Sequence, residues 1–273
     1  MLEIHDLSVD LDSTTVLSGI SLQVEHGSWV GLVGPNGAGK TTLIRAIAGL
    51  VDYHGEIRIA GHGAPHERRR AAARLVAYVP QRPLLPSAMS VTDYVLLGRS
   101  AHHPFLGAET RRDRRVVAAV LERLELTALA RRPLGQVSGG EAQRAVLARA
   151  LAQEAPVLVM DEPTSSLDLG HGQLVLELAD ALRHEHGLTV LSALHDLTLA
   201  SQYADRLVVL SKGRVVLDGR APEVLDPAVI NAVFEATVEV LKGKNGLVLA
   251  PTRPRRNPAE VPVLDSVHAR SAP

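Results

Sequence analysis

The chain has 273 residues, of which 46% are hydrophobic, and it carries 29 Lys and Arg against 30 Asp and Glu. This length accommodates one large or two modest domains with an ample core, and the net charge of -1 argues against a general polyanion binder. The lack of cysteine excludes disulfide scaffolds and thiolate metal sites, while the lack of a long apolar run and of a secretory signal at residues 1–6 predicts a cytosolic protein.

Two stretches near the N-terminus alternate apolar and polar residues. They cover residues 2–5 and 20–25. Because this alternation is typical of half-buried strands, we expect two antiparallel strands that form a small β layer.

A glycine-rich loop follows, between a short apolar run at 29–33 and a helical pattern at 43–50. The loop matches G-x-x-x-x-G-K-[ST] and consists of Gly34, Pro35, Asn36, Gly37, Ala38, Gly39, Lys40, Thr41 and then Thr42. Its glycines let backbone N–H groups surround the β- and γ-phosphates of a nucleotide, and the helix N-terminus adds partial positive charge. Lys40 supplies a point charge and Thr41 a hydroxyl for Mg²⁺. An ordinary Gly-rich turn is the alternative, and the strand–loop–helix order favours the phosphate-binding loop.

The next segment ends in a polar amide. Residues 55–59 read as an alternating strand, Pro65 to Arg74 as a short helix, and residues 75–79 as a buried strand ended by Pro80. Gln81 comes just after that strand. Open α/β sheets bind ligands outside the carboxyl ends of their strands, so Gln81 is well placed to meet a metal ion or a water at the γ-phosphate.

Helical patterns dominate from residue 83 to residue 155, with main candidates at 91–98 and 109–126 and again from 142 to 153. Ser138 and Glu141 before the last helix fit a capping box. Gly139 and Gly140 inside that box cost helix stability, which suggests that their amides approach a phosphate closely. The residues alone leave phosphate binding and plain capping open for Ser138.

Two carboxylates, Asp161 and Glu162, follow the apolar strand at 157–160. Beside a phosphate-binding loop, the first can hold Mg²⁺ through water and the second can polarise an attacking water, although a plain acidic turn is the alternative. His195 follows the next strand, at 188–192. Taken alone it is a core or capping histidine, but its place at the same sheet edge favours a contact with the γ-phosphate.

The remaining elements are a helix at 172–184, strands at 206–210 and 213–218 with a tight turn between them, and a helix at 227–235. The stretch 251–273 is rich in proline and arginine, so we expect a disordered tail. The basic clusters at 68–70 and 111–115 are typical of solvated helix faces, and the twelve histidines lack the carboxylate-rich setting of a transition-metal site.

The ordered set of motifs resembles the ATP-binding subunit of an ABC transporter from about residue 1 to residue 240. The specific feature is Val137-Ser138-Gly139-Gly140-Glu141, which is similar to the LSGGQ signature and lies between Gln81 and the Asp161-Glu162 pair. The resemblance implies an α/β fold: a P-loop NTPase (RecA-like) core with an N-terminal antiparallel β layer and an inserted helical subdomain. It divides the chain into a core at 1–82 and 156–240, a helical subdomain at 83–155 and a C-terminal extension at 241–273.

The resemblance also implies roles for single residues. Residues 34–42 hold ATP; Thr41, Gln81 and Asp161 organise Mg²⁺; Glu162 is the general base; His195 contacts the γ-phosphate. In the family two subunits pack head to tail, so Ser138, Gly139 and Gly140 act across a homodimer, and Asp168 matches the aspartate that touches the partner subunit.

Three positions depart from the family pattern. Leu11 stands where an aromatic usually stacks on adenine, which replaces stacking by aliphatic contact. Val137 replaces the usual Leu of the signature, and Glu141 replaces Gln while keeping the capping geometry.

Softer motifs resemble importers of iron complexes, haem or cobalamin. They are Val95 to Arg99 with His102, and residues 195–200 with 203–207. Such an ATPase implies integral membrane permease subunits, an extracytoplasmic substrate-binding protein reached through them, no nucleic acid, and a peripheral position on the cytoplasmic face of the membrane. The alternatives are an importer of another cargo, a soluble ABC ATPase acting on DNA or ribosomes, and a nucleotide-sensing module that does not hydrolyse ATP.

Overall fold

The computed structural model of the chain describes residues 1–63, 69–103, 108–165 and 167–252. The start of the helix predicted at 65–74 and nearly all of the predicted tail lie outside these residues.

The described residues form two main sheets, a C-terminal hairpin and a set of helices. The strands are β1 (Leu2–Leu11), β2 (Thr14–Val24), β3 (Trp29–Val33), β4 (His54–Ile59), β5 (His62–Gly63), β6 (Val76–Val79), β7 (Val157–Asp161), β8 (Thr189–Ala193), β9 (Arg206–Ser211), β10 (Arg214–Gly219), β11 (Val238–Lys242) and β12 (Leu247–Pro251). The helices are α1 (Lys40–Ile47), α2 (Arg69–Leu75), α3 (Val91–Leu96), α4 (Arg111–Arg123), α5 (Gly139–Ala152), α6 (Leu169–His186), α7 (Leu197–Tyr203), α8 (Ala221–Val224) and α9 (Pro227–Phe234), with short 3-10 turns at Leu97–His102, Thr127–Leu129 and Leu134–Gln136.

The central sheet has the order β10-β9-β3-β8-β7-β6, and only β10 runs antiparallel to its neighbour. Every residue of β3, β7 and β8 is buried. Strands covered on both faces need continuous apolar runs, which is why these segments lack alternation. Because β3, β8, β7 and β6 are parallel neighbours, their carboxyl ends meet at one edge.

The second sheet is the predicted antiparallel layer, in the order β2-β1-β4-β5. Its apolar side packs with α1 and one face of the central sheet into a continuous buried cluster. The strands β1 and β2 are longer than the alternation indicated, because β1 continues past a register shift next to Asp6, whose φ is 47°. This layer lies against the glycine-rich loop, as the tight approach of Leu17 to Gly39 shows.

The helices α3, α4 and α5 pack together on the opposite face of the central sheet and share a second buried cluster with Trp29 and Met160. The first turn of α4 is a capping box between Thr110 and Asp113. This arrangement agrees with an inserted helical unit, and its bounds at 83–155 stay a prediction.

The C-terminal part holds elements that the sequence patterns did not reveal. The hairpin of β11 and β12 packs on α7, where Ser201 Oγ donates to Leu247 O at 2.8 Å and Leu249 N donates to Thr198 Oγ1 at 3.1 Å. It spans the boundary predicted at residue 240, so part of the extension beyond that residue is an ordered strand pair. Among the described helices, none combines the length and apolarity that crossing a membrane requires.

Candidate active site

Four predicted site segments lie at the carboxyl edge of the central sheet. The glycine-rich loop leaves β3, Asp161 ends β7 with Glu162 beside it, His195 follows β8, and Gln81 follows β6. In the sheet order, β8 lies between β3 and β7, so the loop and the carboxylates follow strands that are separated by the strand before His195. The sheet order therefore brings together residues that are far apart in sequence.

Two glycines of the loop are required by the local backbone. Gly34 has a φ of 149°, and a Cβ there would lie 2.1 Å from the carbonyl oxygen of Leu210. Gly39 has a φ of 102°, and a Cβ there would lie 2.5 Å from Leu17 Cδ2. A larger residue at either position would clash and strain the backbone, so these glycines fix the path of the loop into α1.

Lys40 opens α1 and turns back over the loop. Its Nζ donates to Gly34 O at 2.7 Å and to Pro35 O at 3.0 Å. Burial lowers the pKa of Lys40, and the nearby carboxylates of Glu162 and Asp161 oppose that shift. A buried ammonium beside backbone N–H groups is a strong anion-binding point.

A cleft of about 250 Å³ opens over the loop. It is lined by Val16, Asn36, Gly37, Ala38, Gly39, Lys40, Thr41, Thr42 and Glu162. Val16 was missed at the sequence level because only the contact between the β layer and the loop reveals it. Leu11, the expected adenine position, is not among the lining residues and is 40% exposed at the end of β1.

Asp161 is fully buried and faces the loop. Its Oδ1 accepts a hydrogen bond from Thr41 Oγ1 at 2.8 Å, while its Oδ2 is buried without a partner. Burial raises the pKa of Asp161, and the hydrogen bond from Thr41 opposes the rise. An unpartnered buried oxygen beside a hydroxyl is a hard-oxygen donor set, and Mg²⁺ fits it.

Glu162 is 8% exposed and its carboxylate is held from two sides. Gln81 Nε2 donates to Oε2, and His195 Nε2 contacts Oε1. The backbone of Glu162 is left-handed, with a φ of 49°, and its N–H donates to Ala193 O at 3.1 Å. A strained non-glycine backbone that aims a carboxylate at a cleft is typical of functional sites.

The first turn of α5 carries the expected capping box. Ser138 N donates to Glu141 Oε2 at 2.7 Å, and Glu141 N donates to Ser138 Oγ at 3.3 Å, so that prediction is confirmed. Ser138 and Gly139 are exposed and Gly140 is buried. A Cβ at Gly139 would meet nothing within 4 Å, whereas one at Gly140 would lie 2.1 Å from the ring of His171. The ring of His171 therefore occupies the space beside the second glycine, a contact within the chain that the sequence did not reveal.

Asp168 is the N-cap of α6, which makes that helix start three residues earlier than predicted. Its carboxylate accepts from His171 N at 2.9 Å. The hydrogen bonds from His171, first from its backbone and then from its ring, hold the pKa of Asp168 below its usual range. The side chain is exposed, away from the fully buried part of the site.

The body of α5 is tied to the strand that carries the carboxylates. Gln143 is buried, and its Nε2 donates to Pro163 O at 3.2 Å. The helix that begins at the signature motif is thus fastened to the segment just after Glu162. Sequence reasoning did not single out Gln143, since nothing in its spacing distinguishes it from a core residue of a helix.

The family described as "ABC transporter" matches residues 17–165 of the chain, more than half of its length. The chain belongs to the ABC transporter family. The matched region contains the glycine-rich loop, the signature motif and the Asp161-Glu162 pair.

Curated relatives at 32–41% identity include three ATP-binding proteins of importers. A cobalamin import ATP-binding protein, BtuD of Halobacterium salinarum, is 41% identical over 88% of this chain and 60% of that protein. An iron(3+)-hydroxamate import ATP-binding protein, FhuC of Bacillus subtilis, is 32% identical over 88% of this chain and 90% of that protein. A hemin import ATP-binding protein, HmuV of Streptomyces coelicolor, is 39% identical over 86% of this chain and 83% of that protein. The chain thus spans less than two thirds of the Halobacterium protein.

Solved structures agree on the fold. A putative metal-chelate type ABC transporter in an inward-facing conformation is 27% identical, with a TM-score of 0.80 over 92% of this chain and 97% of that chain. A dimeric ATP-binding cassette bound to ADP and phosphate is 26% identical, with a TM-score of 0.70 over 81% of this chain and 99% of that chain. The ABC ATPase fold with its P-loop core, antiparallel β layer and helical insertion is therefore confirmed.

Proposed function

We propose that this ABC transporter chain hydrolyses ATP and thereby powers import through a membrane permease. The observation that carries the proposal is the carboxylate of Glu162, which is held between Gln81 and His195 at the rim of the cleft that also holds Lys40. A fixed base beside a buried ammonium suits attack of water on a terminal phosphate.

The ATP phosphates would bind the loop at residues 34–42, with Lys40 giving up its bonds to loop carbonyls for phosphate oxygens. Thr41 and Asp161 would hold Mg²⁺, with Gln81 near enough to contribute because it already contacts the neighbouring Glu162. Mg²⁺ in such a site neutralises charge on the phosphates and helps to orient them.

Glu162 would accept the proton of the attacking water. Gln81 and His195 keep its carboxylate in one orientation, and a positioned base works only when its geometry is fixed. His195 is half-exposed and contacts Glu162, which lines the cleft, so it would meet the γ-phosphate when nucleotide is bound.

The other half of each site would come from a second copy of the chain. Ser138 and Gly139 are exposed at the start of a helix, where N–H groups and the helix dipole favour an anion. The solved dimeric cassette with ADP and phosphate supports this arrangement. In it, Ser138, Gly139 and Gly140 would contact the nucleotide held by the partner's loop, and Asp168 would touch the partner.

The cargo we propose is an iron complex, haem or cobalamin, since the relatives import cobalamin, an iron hydroxamate and hemin. The chain would sit on the cytoplasmic face of the membrane against permease subunits, with a substrate-binding protein on the other side. Uptake of radiolabelled haem, ferric hydroxamate and cobalamin by cells that express the chain with its permease tests this part, and uptake of none of the three would contradict it.

Phosphate release by the purified full chain tests the reaction. Glu162→Gln should lower turnover by about 100-fold or more, because the base is lost, while ATP still binds. Glu122→Gln, which removes an exposed carboxylate on α4, is the matched control and should keep full activity. Normal turnover by Glu162→Gln, or unchanged ATP affinity in Lys40→Ala, would contradict the assignment.

A further inference from the structure

The ring of His171, on α6, lies against the backbone of Gly140 in the signature motif. A Cβ at Gly140 would fall 2.1 Å from His171 Cδ2, 2.6 Å from Nε2 and 3.0 Å from Cγ. Real Cβ atoms do not approach other atoms so closely, so the missing side chain of Gly140 is what admits the ring. The imidazole therefore covers the first turn of α5 from the side.

The same ring is held on its other side by Asp168. His171 Nδ1 lies 2.8 Å from each carboxylate oxygen of Asp168. Since an ionised carboxylate only accepts hydrogen bonds, this contact favours the tautomer with the proton on Nδ1. The carboxylate also accepts from the backbone N–H of His171. One ring nitrogen shared between two carboxylate oxygens, together with the backbone bond, favours a single orientation of the imidazole.

We propose that His171 is a positioning residue that transmits the placement of Asp168 to the signature motif of the same subunit. This inference rests on the proposed function, in which Ser138 and Gly140 must meet a phosphate held by a second copy. His171 touches no nucleotide itself. His171 instead fixes the position of the first turn of α5 relative to the nucleotide held by the partner subunit.

The turn needs such a support because two of its residues are glycines. Gly139 and Gly140 have more backbone freedom than other residues, and the capping box between Ser138 and Glu141 restrains the turn only from its own end. The ring supplies a restraint from the side, at the residue that is buried. Asp168 is exposed and is proposed to meet the partner. A displacement of Asp168 by the partner would therefore shift the ring of His171, and with it the backbone at Gly140.

The kinetic test compares three variants of the full chain. In His171→Ala, kcat for phosphate release should fall about 10- to 100-fold, as expected when a reacting group is misplaced by about an ångström, while the Kd for ATP stays at the wild-type value. His171→Gln, whose planar amide can donate to Asp168 and cover Gly140, should recover most of the loss. His184→Ala, which removes an exposed histidine from the same helix, is the control and should behave as wild type. Wild-type turnover in His171→Ala, or an equal loss of ATP affinity, would overturn the proposal.

A mixing experiment shows which half of the site His171 serves. Lys40→Ala lacks a working loop but keeps an intact signature motif, and His171→Ala has the reverse defect. Mixed in equal amounts, the two should regain up to about one quarter of wild-type phosphate release, since half of randomly paired dimers carry one complete site. No gain above the separate variants would overturn a role for His171 on the signature side.

A second mixture separates this inference from the proposed function. Lys40→Ala mixed with Ser138→Ala should also regain activity if two copies build each site. If this mixture fails, the shared site itself is wrong. If it succeeds and the His171 mixture does not, only the role of His171 is wrong.

Discussion

Asp161 and Glu162 are adjacent carboxylates with different surroundings. Asp161 is buried, accepts from Thr41 through one oxygen, and has a second oxygen without a hydrogen-bond partner. Glu162 is instead held through both oxygens by side chains that follow other strands. The first environment suits a cation and the second suits proton transfer, so one strand end can provide both functions.

The hydroxyl of Thr41 is predicted to stabilise the chain as well as to serve the metal. In Thr41→Val the buried carboxylate of Asp161 loses its hydrogen bond, and the free energy of unfolding should fall by about 1–3 kcal/mol. Thr41→Ser keeps the hydroxyl and is the control. Denaturant titration measures the difference, and equal stability of the two variants would contradict the importance of this bond.

Among single residues, the sequence identifies the site residues that belong to a motif with a fixed spacing. The glycine-rich loop, Ser138 with Glu141, and the two carboxylates follow from local pattern and strand ends. Val16 and His171 do not, because their roles depend on contacts between elements distant in sequence. The ring of His171 also shows that a glycine of the signature motif has a packing partner within its own chain.

Among the elements, the 3-10 turn at Leu97–His102 joins the end of α3 to the end of α5 within the helical insertion. A Cβ at Gly98 would lie 2.2 Å from Arg149 O, Arg99 Nη1 donates to Ala152 O at 2.7 Å, and His102 Nε2 bonds to Gln153 O at 2.7 Å. These bonds satisfy carbonyls that a helix end leaves open. Arg99 and His102, which the sequence offered only as subfamily markers, thus have a structural role.

Arg99 is predicted to be the most sensitive residue of this turn. It is 1% exposed and also pairs with Asp113 and Glu154, each at 2.8 Å. Arg99→Met would remove the guanidinium from the buried carboxylate of Asp113, which would keep its bonds from Thr110 and its contact with His103. Loss of one partner of a buried ion pair should lower the free energy of unfolding by about 3–5 kcal/mol.

Arg112 provides a matched control, because it pairs with the same Glu154 at 3.2 Å from a side chain that is 71% exposed. Arg112→Met should cost about 1 kcal/mol or less. Thermal and denaturant unfolding of both variants gives the comparison, and similar losses in the two would contradict a special role for the buried arginine.

The surroundings of Asp113 should make the free energy of unfolding depend on pH. Burial alone would raise the pKa of Asp113, but hydrogen bonds from Thr110 and Arg99 outweigh it and hold the pKa far below the usual carboxyl range. A depressed pKa in the folded chain means stability that is present above the ordinary carboxyl value and is lost as the pH falls below it. The stability gap between wild type and Asp113→Asn should therefore narrow below about pH 4. Denaturant titrations from pH 7 to pH 3 measure it, and a gap constant over this range would contradict the assignment.

Element positions were predicted well where a continuous apolar run marks a buried strand, as in β3, β7 and β8. The hairpin of β11 and β12 was missed because it is only half-buried, and its alternation gives a weak signal until α7 is seen beneath it. Helix α6 was predicted too short because the capping role of Asp168 was not recognised.

In the molecule as a whole, the two faces of the central sheet pack against different parts of the chain. One face packs against α1 and the antiparallel layer around the loop, and the other carries the helical insertion, which contains the signature motif. The loop and the exposed Ser138 belong to different units of one chain. This supports a head-to-tail pair in which each copy completes the nucleotide site of the other.

The size of the ATP-bound species tests that claim most directly. Sedimentation of the full chain carrying Glu162→Gln, which should bind ATP without hydrolysing it, would measure the species present with Mg²⁺ and ATP. We expect a stable dimer with ATP that reverts to monomer with ADP, and that fails to form when Ser138→Ala is added. A Glu162→Gln chain that stays monomeric at saturating ATP over the whole accessible concentration range would contradict the shared site.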